Sequence, residues 1–386
     1  MTEIRTAVGA VSTTIACVIP VFLVGGLAVQ IGDELRFSPA GLGVVVSVYF
    51  GIGALASVPA GRLVERHGST TTARAGIVVA ATGLLAISVL ARNLLTLAVL
   101  LAVSAPANAL GQLASNAALA RRIAPRRQGL SFGVKQSAVP LSTLLAGAAV
   151  PAVALTVGWR WAFALGAALA LAALALVPPE GRVEAPAASR SGADQATTAL
   201  MVIGLAAGLA AGAASALATF LVDSSATRGL DPGLAGLVLT LGSAACVAGR
   251  LLGGWQADRR AGGHIGAVAG LLATGAAGLA LLALPGALPL VVGVLLGFGL
   301  GWSWPGLMTF AVVLLHPQAP AAATSITQTG VYAGGCLGPL AFGAAAAYAG
   351  YPTAWLSGAT AMVFAAGLML LGERLLLFHP GPRPGQ

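Results

Sequence analysis

Long apolar stretches, separated by short polar ones, are the feature that most limits how this sequence can fold. Hydrophobic residues make up 58% of the 386 residues and charged residues only 8%, whereas a soluble domain carries roughly 25% charged residues. A helix needs about 20 apolar residues to cross the hydrocarbon of a bilayer. The stretches are rich in Ala, Leu, Gly and Val and do not alternate, which argues against the strands of a membrane barrel. The sequence therefore predicts an all-α protein embedded in the lipid bilayer.

Twelve such stretches can be placed along the chain, six on each side of a polar segment. The predicted spans of the first half are 7–31, 40–60, 73–91, 94–119, 129–157 and 161–177. Those of the second half are 198–222, 233–256, 264–284, 287–315, 323–347 and 353–371. Residues 178–197 mix charged side chains with Pro, Ser and Gly, as flexible linkers do. We therefore expect twelve transmembrane helices in two six-helix bundles, residues 1–177 and 198–386, joined by the linker 178–197.

The two halves also repeat each other in sequence. Gln136 and Gln328 lie 192 residues apart in similar surroundings, and Pro39 and Pro232 lie 193 residues apart. Because six helices is an even number, the second half repeats the first without inversion. This pattern indicates parallel repeats related by an axis along the membrane normal.

A short motif recurs in the link that follows the second span of each half. The first copy reads GRLVERHG over residues 61–68, and the second reads GWQADRRA over residues 254–261. Gly61 allows two helices to pack closely, and Gly68 permits a tight turn. The acidic residue of each copy can face the positive amino end of a neighbouring helix.

This motif resembles the loop motif of the major facilitator superfamily, G-x-L-x-D-R-x-G-R-R. Gly61, Leu63, Arg66 and Gly68 match it, and Glu65 stands where the family has Asp. The second copy keeps the acidic and basic pair but not the second glycine. The resemblance implies the family's two-bundle fold, transport rather than catalysis, and a contact between the halves that holds the cytoplasmic gate shut. The gating residues that it implies are Gly61, Glu65, Arg66, Gly68, Asp258 and Arg259.

The resemblance and the repeat together predict where the two acidic residues make their contacts when the cytoplasmic side is closed. The resemblance implies that Glu65 lies near the start of span 11, residues 321–324, and the repeat then predicts that Asp258 lies near the start of span 5, residues 129–131.

The basic residues predict the orientation of the chain. With the amino terminus in the cytoplasm, fifteen of the twenty fall on the cytoplasmic side and only Arg36, Arg92, Arg160 and Arg228 on the other, with Lys135 inside a span. This distribution follows the positive-inside rule and puts both termini in the cytoplasm. Because the net charge of +9 resides in these loops, we expect no nucleic-acid partner. The Arg-, Ala- and Gly-rich composition suggests a GC-rich bacterium and therefore the bacterial inner membrane.

Polar residues fall mostly on spans other than 3, 6, 9 and 12, which are almost purely aliphatic. In parallel-repeat transporters the solute site lies near the midplane between the halves. The candidate substrate-binding residues are therefore Tyr49, Asn108, Gln112, Lys135, Gln136, Trp302, Trp304, Gln328 and Tyr332. Asn108 and Gln112, and likewise Gln328 and Tyr332, are four residues apart and so share a helix face. The alternative for these two pairs is hydrogen bonding between helices, worth about 0.6 kcal/mol on average. Of the two tryptophans, at most one is expected to line a cavity.

Lys135 differs from the other candidates because it is the one charged residue well inside a predicted span. A charge at depth costs at least about 2.5 kcal/mol and is by default a functional hypothesis. The alternative is that its side chain extends to the cytoplasmic surface. Asp33, Glu34 and Asp223, at outer helix ends, are interpreted as solvated surface charges.

The leading hypothesis is a secondary transporter that moves a small organic solute, with an anion favoured by Lys135, by alternating access. The first alternative is export of drugs or hydrophobic compounds by the same fold, although the membrane-embedded acid expected of such an exporter is missing. A membrane-embedded transferase or a receptor without transport is the alternative from another class. We expect a monomer with no cofactor and no metal, and the sequence leaves a coupling ion open.

Overall fold

The computed structural model describes residues 2–36, 39–179, 193–230, 232–260, 262–317 and 319–378. Over these residues the chain is almost entirely helical. Nine helices in this part of the chain are long and apolar enough to cross a membrane, the last of them extending over 57 residues. The prediction of an all-α membrane protein is confirmed.

The first half of the chain contains eight α-helices. They are α1 (Thr2–Gly26), α2 (Ala28–Leu35), α3 (Pro39–His67), α4 (Ser69–Leu90), α5 (Leu94–Arg122), α6 (Gln128–Gln136), α7 (Ala138–Ala149) and α8 (Trp159–Ala173). Short 3-10 helices precede α6 and follow α8, at Pro125–Arg127 and Leu174–Leu176, and a π-helical segment, Val150–Ala154, follows α7.

The second half contains six more α-helices. They are α9 (Ala193–Ala226), α10 (Pro232–Ala257), α11 (His264–Leu282), α12 (Ala287–Val294), α13 (Trp304–Leu315) and α14 (Pro320–Phe378). A π-helical segment, Leu295–Leu300, follows α12. Within α14 the backbone turns at Gly350, whose φ of 81° interrupts the helical conformation between predicted spans 11 and 12.

Two predicted spans are not the continuous helices that the hydropathy pattern suggests. Span 5 is divided into α6, α7 and a π-helical segment, and Ser137 separates the two α-helices. Span 10 is divided into α12, a π-helical segment and α13, which begins at Trp304 with Pro305 in its first turn. Proline lacks the amide hydrogen that a helix interior requires, so the helix breaks near Pro140 in span 5 and near Pro305 in span 10. The uniform apolar pattern of both spans does not reveal them.

The first copy of the motif lies inside a helix rather than in a link between helices. Residues 61–67 form the last two turns of α3, and the turn itself is confined to Gly68, which has a φ of 83°. This corrects the position expected from sequence and places Glu65 on a rigid helical backbone.

Two buried hydrophobic clusters correspond to the two halves of the chain. One is built mainly from residues 16–177 and the other mainly from residues 203–369. A few side chains join the cluster of the opposite half, among them Tyr332 and Phe132. The bundle boundaries at residues 177 and 198 stay predictions, and residues 180–192 of the expected linker lie outside the described residues.

Within the second half, α9 and α14 pack backbone to backbone through two glycine rows. Gly208 and Gly212 of α9 face Gly330, Gly334 and Gly338 of α14. A Cβ atom at Gly334 would overlap the carbonyl oxygen of Gly208. In lipid, where hydrophobic burial does not drive association, such close backbone packing is a main source of helix–helix attraction.

We therefore expect Gly334→Ala to lower the free energy of unfolding by about 1–3 kcal/mol, because the added methyl group must push the two helices apart. Gly367→Ala is the matched control, since a Cβ at this α14 glycine meets no atom within 4 Å. Thermal unfolding of the purified protein in detergent measures both variants. Equal melting temperatures for Gly334→Ala and Gly367→Ala would show that α9 and α14 are not closely packed.

Candidate functional site

The end of the molecule that carries the two motif copies, called here the motif end, is where the two halves are joined by carboxylates. Glu65, near the end of α3, accepts a hydrogen bond from the backbone amide of Ala321, with its Oε1 atom 3.0 Å from that nitrogen. Ala321 lies in the first turn of α14, where amide hydrogens have no partner within the helix. The second carboxylate oxygen pairs with the guanidinium of Arg121 on α5. Glu65 thus connects the first half to the amino end of α14.

Asp258 makes the corresponding contact from the second half. Its two carboxylate oxygens accept hydrogen bonds from the backbone amides of Gly129 and Leu130, at 2.7 and 2.9 Å. These amides belong to the first turn of α6, so a negative charge again meets the positive end of a helix. Both acidic residues are therefore in the contacts expected from the motif and the repeat. Their role in gating stays a prediction.

The glycines of the motif allow this approach of the helices. A Cβ atom at Gly61 would lie 2.9 Å from the Cβ of Ser325, and one at Gly254 would lie 2.5 Å from the carbonyl oxygen of Gly129. Both distances are below normal contact, so any larger residue would separate the halves at the motif end. The basic residues of the motif point elsewhere. Arg66 is exposed, and Arg259 stacks on the ring of Trp255 at 3.6 Å.

Lys135 lies in the last turn of α6 and is completely buried, with 0% of its surface exposed. Its ammonium donates hydrogen bonds to the side-chain oxygens of Gln112 and of Asn116, the latter at 2.9 Å. Both amides are on α5, in the same half. Among the residues that the structure describes, Lys135 forms no ion pair with a carboxylate.

This cluster has more hydrogen-bond donors than acceptors. An ammonium carries three N–H groups, and two of them bind the amide oxygens of Gln112 and Asn116. The Nδ2 group of Asn116 is buried and has no acceptor in the described part of the chain. Asn116 was not among the candidates from sequence, although its i, i+4 spacing from Gln112 was a signal that could have included it. The arrangement suits a ligand that accepts hydrogen bonds.

The other polar candidates link helices around this cluster. The Tyr332 hydroxyl of α14 donates to the Asn108 side-chain oxygen of α5 at 2.9 Å, which joins the two halves. The Tyr49 hydroxyl donates to the carbonyl oxygen of Cys17 at 3.3 Å, within the first half. Gln328, one turn before Tyr332, is buried.

The tryptophans of the tenth predicted span have different surroundings. Trp304 is completely buried, and its indole nitrogen has no hydrogen-bond partner among the described residues. Trp302 is partly buried, and its ring lies under the guanidinium of Arg250 at 5.4 Å.

Arg250 does not lie at the cytoplasmic surface, where the count of basic residues placed it. It was counted with the arginines of the cytoplasmic segments, but only 2% of its surface is exposed and its guanidinium reaches into the interface between the halves. Its place on α10, eight residues or about 12 Å before Asp258, was the signal that it lies inside a span.

A separate polar cluster lies at the opposite end of the first half. The Glu34 carboxylate accepts hydrogen bonds from Arg160 at 2.7 Å and from the Trp159 indole at 2.6 Å. The bond from the Arg160 guanidinium lowers the pKa of Glu34 below its ordinary value. Glu34 is therefore a paired residue rather than only a solvated charge. The side chains of Asp33 and Asp223 lie outside the described residues.

A helical membrane protein with two similar halves joined at the motif end is the architecture of a two-bundle transporter. The sequence model of the Major Facilitator Superfamily matches residues 9–204 and, a second time, residues 200–385. The chain belongs to the Major Facilitator Superfamily, whose members are transporters rather than enzymes. The family and fold expected from the motif and the repeat are confirmed.

Solved structures of the same fold agree with this assignment. The E. coli fucose:proton symporter FucP (N162A variant) is 16% identical, with a TM-score of 0.76 over 96% of this chain and 99% of that one. The human organic anion transporter MFSD10 is also 16% identical, with a TM-score of 0.74 over 95% and 98% of the two chains. The proton:xylose symporter XylE, bound to 6-bromo-6-deoxy-D-glucose, is 13% identical, with a TM-score of 0.80 over 96% and 95%. Comparison with curated protein sequences gives no match.

We expect Asp258→Asn to favour opening of the motif end, because an asparagine offers one neutral acceptor where the carboxylate serves two helix-end amides. A cysteine introduced at Ser325, which is buried against Gly61, reports the opening through its rate of maleimide labelling in a background without native cysteines. Labelling should accelerate about tenfold, in line with up to ∼2 kcal/mol for a partly buried charge at a helix end.

Arg62→Gln is the control, since it removes an exposed charge from the same end without touching either contact. Equal labelling rates for Asp258→Asn and Arg62→Gln would contradict a role of Asp258 in holding the halves together.

Proposed function

We propose that this protein is a secondary transporter that moves a small organic anion across the membrane by alternating access. The observation that carries the proposal is the buried ammonium of Lys135, which is surrounded by amides and has no described carboxylate partner. A buried charge without a counter-ion is costly in a medium of low dielectric constant. An anionic solute would supply the missing counter-ion and accept from the unpaired Nδ2 group of Asn116.

The charge of Lys135 is not a requirement of the fold shared by both halves. Its repeat partner, Thr327, is uncharged and donates to the carbonyl oxygen of Thr324 in its own helix at 3.1 Å. The corresponding position therefore tolerates a neutral side chain. A second buried cation, Arg250, donates to the carbonyl oxygen of Gln136, the residue that follows Lys135 in the chain. Two buried positive charges in one region favour a negatively charged ligand over a neutral or cationic one.

The substrate-binding set that we propose is centred on Lys135, with Asn116 added to the candidates from sequence. Gln112 and Gln136 are the nearest members, one bound to the ammonium and one next to it in the chain. The remaining candidates would contribute as the halves move, and they are Tyr49, Asn108, Trp302, Trp304, Gln328 and Tyr332. MFSD10, one of the similar structures, is an organic anion transporter, so a solute of this class is compatible with the fold.

The motif residues support a proposal for the gate. Glu65 and Asp258 would hold the motif end closed while the solute site opens to the other side, with Gly61, Gly68, Arg66 and Arg259 shaping the same contact region. The positive-inside distribution supports a cytoplasmic motif end, with both termini on that side of a bacterial inner membrane. We further propose that the protein acts as a monomer and that residues 178–197 link the two bundles.

Lys135→Gln should weaken binding of the preferred anion about 10–100-fold, the range expected for hydrogen bonds to a charged group. The purified protein is screened by thermal shift against acetate, lactate, succinate, citrate, benzoate, fucose, xylose and a cationic dye. The wild type should be stabilised by one or more of the carboxylates, and the shift should disappear in Lys135→Gln.

Thr327→Val is the matched control, because it changes the repeat-equivalent residue without changing charge, and it should keep the shift. Uptake of the stabilising anion into proteoliposomes then tests transport. Stabilisation by neutral sugars alone, or by the dye alone, with Lys135→Gln behaving as wild type, would overturn the anion proposal.

A further inference from the structure

The short helix α6, which carries Lys135, is in contact with α10 of the other half along its whole length. Gly129 approaches Gly254, and Gly133 lies against the backbone of Arg250 so closely that a Cβ atom there would overlap the Arg250 carbonyl. The spacing of four residues on both helices brings the same faces together. Asp258 binds the amino end of α6, as described above, which leaves the carboxyl end to be explained.

The carbonyl group at the carboxyl end of α6 is free because of a proline. In a continuous helix the carbonyl of Gln136 would accept a hydrogen bond from the amide four residues later, but that residue is Pro140, which has no amide hydrogen. Such an unpaired buried carbonyl needs another donor. The Gln136 carbonyl accepts a hydrogen bond from the Nη1 group of Arg250, which extends across from α10.

Arg250 is at the same time fixed to its own half. Its Nε and Nη2 groups donate to the carbonyl oxygen of Trp302, at 3.3 and 3.0 Å, and its guanidinium covers the Trp302 ring. All three nitrogens of the guanidinium thus donate hydrogen bonds, two of them within the second half and one across the interface. When the halves separate, the bond to Gln136 must break, whereas Arg250 can stay bound to Trp302.

The charges of Asp258 and Arg250 match the two ends of α6. The helix presents partial positive charge at its amino end and partial negative charge at its carboxyl end. Asp258, just beyond the end of α10, lies at the first, and Arg250, about two turns before that end, lies at the second. A helix held at both ends by opposite charges cannot slide along α10 without losing one of the contacts.

The other repeat does not have this arrangement. The repeat partner of Arg250, at an offset of 193 residues, is Ser57, whose hydroxyl bonds to Gly53 of its own helix. The partner of Pro140, at an offset of 192, is Tyr332, which has a normal amide. The repeat-equivalent positions therefore carry neither the arginine nor the proline. At the motif end, α14 is held by Glu65 at its first turn.

We infer that Arg250 and the carbonyl freed by Pro140 form a second latch between the halves, which must open when the motif end opens. Together with Asp258 it holds α6, and with it Lys135, against α10. The latch does not depend on the charge of the solute, so the inference stands apart from the anion proposal.

Double electron–electron resonance tests the latch through the distance between spin labels at Arg74 and Arg260, two exposed positions in opposite halves. The measurement uses the full chain without native cysteines and with Asp258→Asn. Because this substitution already weakens the motif end, loss of the Arg250 contact should change the distance distribution. Arg250→Gln should raise the ratio of long to short distances about tenfold, as expected for the loss of a charge-assisted hydrogen bond. Ser57→Ala, the repeat-equivalent control, should leave the ratio unchanged.

Pro140→Ala tests the same contact without altering Arg250. The new amide at position 140 can bond to the Gln136 carbonyl and compete with the guanidinium, so the ratio should rise in the same direction but by less. In combination with Arg250→Gln, Pro140→Ala should add nothing. If Arg250→Gln does not fold, the distance distribution of Pro140→Ala alone tests the latch. A distance distribution identical to that of the Asp258→Asn parent in every folded variant would overturn the latch.

Discussion

The attraction between a carboxylate and the unpaired amides of a helix end is the interaction on which the association of the two halves depends. At the motif end, Glu65 binds the first turn of α14 and Asp258 binds the first turn of α6. Such contacts can break reversibly, because water can replace both partners once they separate, and the proposed gate depends on this property. The glycines beside them, Gly61 and Gly254, set how closely the bundles approach. A reversible joint between rigid halves is what alternating access requires.

Inside the interface, the balance of donors and acceptors connects this joint to the solute. Lys135 lies on the helix whose amino end Asp258 holds, and its ammonium is bound to amides of its own half. The cluster is rich in donors and, among the described residues, has no carboxylate bound to the ammonium, which is why we propose an anionic solute. A ligand there would touch α5 and α6 and lie beside the contact with α10. In the proposed mechanism, binding and movement of the halves therefore involve the same short helix.

Sequence alone predicts the parts of this structure that follow from local pattern and from the repeat. Hydropathy predicts the membrane helices, the motif predicts the helix end that Glu65 meets, and the repeat predicts the one that Asp258 meets. The breaks within spans 5 and 10 and the burial of Arg250 are not predicted. The burial of Arg250 depends on groups distant in sequence, since its guanidinium donates to the carbonyl oxygens of Gln136 and Trp302. Counting loop charges treats such an arginine as exposed.

The most direct test of this account is an experimental structure of the protein opened at the motif end. The account predicts that the distances from Glu65 to the Ala321 amide and from Asp258 to the Gly129 amide both exceed about 8 Å, roughly a Debye length at physiological salt. It also predicts that the packing of α9 on α14 within the second half is unchanged. A structure that is open at this end but keeps either carboxylate on its helix end would contradict the account.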